Sequence, residues 1–322
     1  MPGATRIFLT GGTGFFGKSL LRRWHATMAA GSAEVEVIVL SRDPGRFRRE
    51  CPMLGEAPWL RFVCGDMLDP ATLPKLEGVT HVLHAATDST LGPTLSPLQR
   101  FDQILQGTRH VLDFAVRSGA RRFLLCSSGG VYGPPPAGVV HLEESYCGMP
   151  DPLEPGNAYS IGKRAAEHLC SLHAAQYGLE VVIARCFAFV GQDLPLDVHF
   201  AIGNFIRDAL ERPEISVSGD GTPLRSYLDQ RDLAEWLEVL LMRGSAGSAY
   251  NVGSDHAISL GDLALLVRDV LAPGKTVRIK GGGGAAVRNV YVPCVDRVRD
   301  LGLTVRVPLA QAIEDTGAAA KS

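Results

Sequence analysis

The sequence predicts an α/β fold built on a doubly wound parallel sheet, with a smaller α/β lobe formed by its C-terminal part. Three observations lead there. Short, nearly continuous apolar runs alternate with helical patterns through the first half. A glycine-rich turn stands between the first run and the first helix. After about Cys186 the rhythm breaks into short helices, short strands and Gly/Pro interruptions. Apolar runs of strand length suit strands buried on both faces, as in a parallel sheet. Strand, helix, strand in repeated order winds such a sheet through right-handed crossovers.

In chain order, strands are expected at 6–11, 34–41, 59–66, 80–86, 121–128 and 179–187, each ending in small or polar residues. Helices are expected at 15–28, 98–118 and 159–177. In the second of these Phe101, Leu105, Thr108, Leu112, Ala115 and Val116 share one face, as an amphipathic helix requires. Beyond them, helices are expected at 199–210, 233–242 and 260–271, and the glycine run 281–284 reads as a loop. The chain therefore divides into a dinucleotide-binding domain over 1–187 and a substrate lobe over 188–322, with return segments to the sheet around 226–252. The lobe is expected over the carboxyl edge of the sheet, where open α/β folds bind ligands.

At 322 residues the chain makes one large domain or two. With 46% apolar and 20% charged residues it has the balance of an ordinary globular protein. Basic and acidic residues nearly cancel, 32 against 34, which argues against a nucleic-acid partner. The basic stretch 42–49 is diluted by Asp43 and Glu50 and reads as a solvated helix face. The seven cysteines are widely spaced and form no Cys-x-x-Cys pair, so neither a metal site nor a disulfide framework is expected. Reduced thiols and the lack of a charged-then-apolar leader predict a cytoplasmic protein. No membrane association is expected, because the most apolar stretch, 181–190, is interrupted by Arg185.

Thr10-Gly11-Gly12-Thr13-Gly14-Phe15-Phe16-Gly17 follows the first strand and opens the first helix. Gly11, Gly14 and Gly17 allow a tight turn, close approach to a pyrophosphate and close helix–sheet packing, and the helix N-terminus favours the anion. This is the Rossmann arrangement for a nicotinamide dinucleotide, with Thr13, Phe15 and Phe16 in the same loop. Where a carboxylate would hold the ribose 2′-OH, the second strand ends in Ser41-Arg42. A hydroxyl and a guanidinium suit a 2′-phosphate, so NADP is predicted, with NAD the alternative if Asp43 turns in. Asp66 and Met67 end the third strand, where an acid can meet the adenine amine or simply close a turn.

Tyr159 and Lys163 stand at i and i+4 at the start of a helix and so share a face. A neighbouring ammonium favours the phenolate and brings the phenol towards working range for acid–base chemistry. Ser127 and Ser128 end the fifth strand just upstream, where a serine can hydrogen-bond the reacting oxygen beside the tyrosine.

With these motifs, TGGTGFFG at 10–17, HAA at 84–86, SSGGVYG at 127–133, YSIGK at 159–163 and RSYLD at 225–229, the sequence resembles the extended short-chain dehydrogenases/reductases, the NAD-dependent epimerase/dehydratase family. The resemblance covers nearly the whole chain. It implies a Ser128/Tyr159/Lys163 triad, and a cofactor contact from Ala85, Ala86 and Thr87. It implies a nucleotide-linked sugar as substrate, held by Ser128, Gly129, Asn204, Arg225 and Arg288, with Arg225 on the diphosphate. A homodimer through the helices 98–118 and 159–177 is also implied.

Departures from the family pattern narrow the reaction. Dehydrating members carry Asp-Glu, and decarboxylating ones a glutamate, where this chain has Gly129-Gly130. Elimination needs an acid and a base that glycine cannot supply, so only Glu143 or Glu144 could substitute, if their loop folds over the site. Two family asparagines are replaced by Ile104 and Ala188, which marks a divergent subgroup. The remaining readings are a 4-ketosugar reductase using NADPH, a 4-epimerase using tightly held NAD, and a non-catalytic NADP-sensing subunit. The activated phenol speaks against the last.

Overall fold

The computed structural model describes residues 5–29, 35–87, 94–198, 200–281 and 289–321. In chain order the first elements are β1 (Thr5–Thr10), α1 (Phe15–Ala29), β2 (Val35–Ser41), α2 (Pro44–Glu50), α3 (Pro52–Gly55), β3 (Leu60–Cys64), β4 (His81–His84) and α4 (Pro97–Arg117). There follow β5 (Arg122–Ser128), α5 (Ala158–Tyr177), β6 (Glu180–Cys186), β7 (Phe189–Val190), α6 (Ala201–Glu211), β8 (Glu214–Val217), β9 (Leu224–Arg225), β10 (Leu228–Asp229) and α7 (Gln230–Arg243). The last are β11 (Ser248–Val252), β12 (Ile258–Ser259), α8 (Leu260–Leu271), β13 (Thr276–Ile279), β14 (Val290–Tyr291), α9 (Asp296–Arg299) and α10 (Leu309–Ala319).

Seven strands form one sheet in the order β11-β6-β5-β4-β1-β2-β3. The pairs β2–β3, β1–β2, β1–β4 and β4–β5 all run parallel. The chain winds outward from β1 in both directions, so the topological switch falls between β1 and β4. Ligands of open α/β sheets bind at the carboxyl ends of the strands there. The register aligns Thr10 with His84 at that end.

The contacts divide the chain into two units. The first comprises Met1–Val131, Pro150–Arg185 and Ala234–Tyr250; the second comprises Tyr132–Met149, Cys186–Leu233 and Asn251–Ser322. In the first, Phe8, Ile38, Val82, Leu125 and Phe114 are buried around the sheet, with the Phe8 and Phe114 rings 4.1 Å apart. Helix α4 starts one residue earlier than its periodicity implies. Ser96 accepts from the Gln99 amide, Gln99 returns the bond to Ser96, and Pro97 takes the first helical position, a reciprocal cap. Gly178, with φ +70°, ends α5, a position that favours glycine.

The second unit is tied by Asn251, fully buried. Its amide donates to the Leu142 and Cys294 carbonyls, and its side-chain oxygen accepts from the Tyr132 hydroxyl at 2.7 Å. These bonds explain why Tyr132–Met149, although it precedes α5, packs with the later residues. A cavity of about 450 Å³ in this unit is lined in part by His141, Glu143, Asp255, Cys294 and Arg299, and by none of the predicted triad, cofactor or substrate residues. Among the described residues no helix is long and apolar enough to cross a membrane.

Candidate active site

The loop after β1 is built by contacts that only glycine permits. Gly11 has φ +74°, and a Cβ on it would stand 2.7 Å from the Ala85 carbonyl carbon. A Cβ on Gly17 would lie 2.2 Å from the Gly12 Cα, so α1 begins directly against the turn. Gly14 differs: it is exposed, and the nearest atom to its Cβ position is the Gly11 oxygen at 3.5 Å. One side of the loop is thus closed by the protein while another lies open beside the N-terminus of a fifteen-residue helix. That cradle fits a dinucleotide pyrophosphate.

The turn after β4 is bonded to the same loop. The Ala85 amide donates to the Thr10 carbonyl and the Ala86 amide to the Thr10 hydroxyl. His84 lies fully inside, with Nδ1 2.7 Å from the Thr10 hydroxyl and Nε2 3.2 Å from that of Thr108. Burial, and then the nearby Lys163 charge, push its imidazole down to about 3. An unfolded histidine titrates near 6.5, so the unfolded state binds the extra proton between those values. Stability from this group therefore rises with pH through that window and is complete above about 6.5. Urea denaturation from about pH 7 to about pH 5 should show stability falling by up to ~1.4 kcal/mol per pH unit on this account. His84→Asn should flatten that slope; an unchanged slope would remove His84 as its source.

At the adenosine side, Ser41 is buried and its hydroxyl accepts from the Asp43 amide, while Arg42 is exposed. Asp43 caps α2 by accepting from the Arg46 amide at 2.9 Å, which engages the carboxylate that could have turned towards a ribose. Asp66 accepts from the Leu68 amide, closing a turn, and the Met67 carbonyl lies 2.9 Å from His110 Nδ1.

The three residues of the predicted triad all belong to the first unit, Tyr159 and Lys163 on α5 and Ser128 at the end of β5. Lys163 is buried on α5 and donates to the Thr87 hydroxyl at 2.7 Å and the Cys126 carbonyl at 2.8 Å, with its nitrogen 6.0 Å from the centre of the Tyr159 ring. The two upstream serines are not equivalent. Ser127 donates to Glu167 at 2.6 Å, and Glu167 is paired with Arg185. Ser128 accepts from the Gly130 amide at 3.1 Å, which leaves its proton available for another acceptor. A Cβ on Gly130 would meet the Ser160 hydroxyl at 2.6 Å and face that of Ser128 at 3.4 Å. The Cβ position at 130 therefore lies against two hydroxyls, that of Ser160 nearest and that of Ser128 beyond it.

In the second unit, Arg225 on β9 donates to the Leu224 carbonyl and the Asn289 side chain and lies 5.9 Å from the Tyr291 ring. Burial lowers its guanidinium pKa and pushes the neighbouring Tyr227 phenol up to about 12. Asn204 sits on α6, and Arg288 lies outside the described residues. The expectation that Glu144 could supply an acid meets a structural obstacle. Its carboxylate is buried, accepts from the backbone N–H of Asn251 and lies 3.7 Å from Arg297. Glu143 is exposed and accepts from Ser145. Of the replaced asparagines, Ile104 is a core residue, packed against Gly162 of α5. Sequence reasoning missed Arg100 of α4, whose guanidinium carbon stands 4.5 Å from the Tyr159 ring centre; no local spacing signals that pairing.

The UDP-glucuronic acid decarboxylase 1 of Arabidopsis thaliana is 30% identical over 276 residues, 85% of this chain, and the chain spans about 60% of that enzyme's length. The dTDP-glucose 4,6-dehydratase of Streptomyces griseus is 27% identical over 318 residues, 97% of this chain and 93% of its own. Among solved structures, DesIV of Streptomyces venezuelae, a dTDP-glucose 4,6-dehydratase with NAD bound, is 26% identical with a TM-score of 0.82, covering 98% of this chain and 97% of its own. The model of the NAD dependent epimerase/dehydratase family matches residues 7–253. On that match, and on the seven-stranded sheet it spans, the chain belongs to the NAD-dependent epimerase/dehydratase family.

Proposed function

We propose that this protein reduces a 4-ketosugar carried on a nucleotide, with NADPH as the reductant. The observation that carries the reading is the pair of hydroxyls, Ser128 and Ser160, facing the position where dehydrating and decarboxylating relatives place an acid, here Gly130. Tyr159 gives its proton to the carbonyl oxygen and Ser128 donates a hydrogen bond to the same oxygen. Lys163, fixed by Thr87 and Cys126, favours the phenolate left behind. When bound, NADPH supplies the hydride to the carbonyl carbon. Ketone, hydride and proton together balance to a secondary alcohol, and no group has to leave.

Ser41 and Arg42 support NADP, since residue 41 offers no carboxylate to a ribose and Asp43 caps α2. The double variant Ser41→Asp with Arg42→Ala should weaken NADPH binding by about tenfold or more and strengthen NADH binding. Equal affinities before and after would refute the assignment. A second reading, a 4-epimerase that keeps NAD through turnover, draws support from the NAD-bound structure of the related DesIV. Purifying the protein without added nucleotide separates the two. Stoichiometric NAD surviving dialysis would sink the reductase, whereas empty protein that oxidises NADPH with a nucleotide-linked 4-keto-6-deoxy sugar would sink the epimerase.

A further inference from the structure

Helix α4 packs on α5 where Gly162 has no side chain. A Cβ there would stand 3.3 Å from Ile104 and 3.5 Å from Phe101. One turn before Ile104 on α4 is Arg100, and three residues before Gly162 on α5 is Tyr159, so the close crossing that sets Ile104 against Gly162 also sets Arg100 over the phenol ring. The arginine is placed against ordinary preference. It lies in the first turn of its helix, where a cation opposes the helix dipole. Its Nε is buried with no hydrogen-bond acceptor, and among the described residues no carboxylate pairs with its guanidinium. Local rules broken without a compensating ion pair mark positions held for function.

We propose that Arg100 is a second cation, beside Lys163, that sets the ionisation of Tyr159. A cation over a ring face is attracted by the π electrons of the neutral phenol, and more strongly by the phenolate, whose charge spreads into the ring. Arg100 is then a positioning residue acting through Tyr159. The groups around it do not substitute for it. Lys163 lies further from the ring centre, at 6.0 Å against 4.5 Å, and shares its charge with Thr87 and Cys126. His84 of β4 is buried and neutral. Glu167 of α5 is held by Arg185 and Ser127, and Arg164 donates to the Val131 carbonyl.

This inference rests on Tyr159 as the acid–base group of the proposed reaction, but its test requires no turnover. The phenol is titrated by the ultraviolet difference absorbance of tyrosinate in wild type, Arg100→Gln, Arg100→Lys and Tyr159→Phe, without nucleotide or substrate. The step missing from Tyr159→Phe identifies Tyr159. Arg100→Gln should move that step up by about one pH unit, and Arg100→Lys should restore most of the difference. In the ketoreductase assay the alkaline limb of the pH–rate profile should move up by the same amount. A Tyr159 step at the same pH in wild type and Arg100→Gln, or a shift that lysine does not restore, would overturn the proposal. Failure of the ketoreductase assay alone would count against the reaction and leave the titration result standing.

Discussion

Tyr159→Phe should lower turnover by about 10²- to 10⁴-fold, the range that a positioned proton donor contributes, while nucleotide affinity stays close to that of the wild type. The separation follows from the geometry. Removing one oxygen leaves the ring against Arg100 and the core, and it leaves Lys163 bonded to Thr87 and Cys126. None of these contacts uses the phenol oxygen, so they should survive the substitution. Steady-state rates with a 4-ketosugar, alongside calorimetric titration of NADPH, provide the check. Retained turnover would remove Tyr159 from the chemistry. A matching loss of nucleotide affinity would make its role one of binding.

Gly17→Ala should act on the opposite half of the site. Its new methyl would press on the Gly12 Cα at 2.2 Å and the Gly11 oxygen at 2.4 Å, all of it backbone that cannot rotate away. The start of α1 must shift, at about 1–3 kcal/mol of stability, and nucleotide affinity should fall by about tenfold or more. Gly14→Ala is the informative partner. With nothing nearer than 3.5 Å, stability should change by less than about 0.5 kcal/mol, yet affinity should fall if the pyrophosphate approaches that open side. Undiminished affinity in both variants would contradict the cradle.

What the sequence disclosed and what it hid divide by distance along the chain. The glycine spacing, the i, i+4 pair of Tyr159 and Lys163, and the serine at the end of the fifth strand are local patterns, and in each the expected chemistry is read from a few neighbouring residues. Strand ends were legible less sharply: residues 59–66 read as one run, but Gly65 and Asp66 turn away and β3 closes at Cys64. Asp66, left open between adenine contact and turn, has its carboxylate accepting from the Leu68 amide. Long-range commitments were invisible. Nothing near Ser127 tells that Glu167 claims it, and nothing near Glu144 tells that Asn251, more than a hundred residues later, engages its carboxylate. The Arg100–Tyr159 contact depends on how two helices cross, which Gly162 permits but does not announce.

The glycines after Ser128 carry the proposed reaction. They supply no acid, and the Cβ position at Gly130 lies against the hydroxyls of Ser160 and Ser128, at 2.6 Å and 3.4 Å. The proposed reduction requires hydride delivery with no bond broken at the neighbouring carbons. NADPH deuterated at C4 of the nicotinamide, supplied with a nucleotide-linked 4-ketosugar, tests this. The prediction is deuterium at C4 of the sugar, one cofactor oxidised per product, and every other atom of the substrate retained. Release of water from a nucleotide-linked hexose, or of carbon dioxide from a nucleotide-linked uronic acid, with no net oxidation of cofactor, would contradict it.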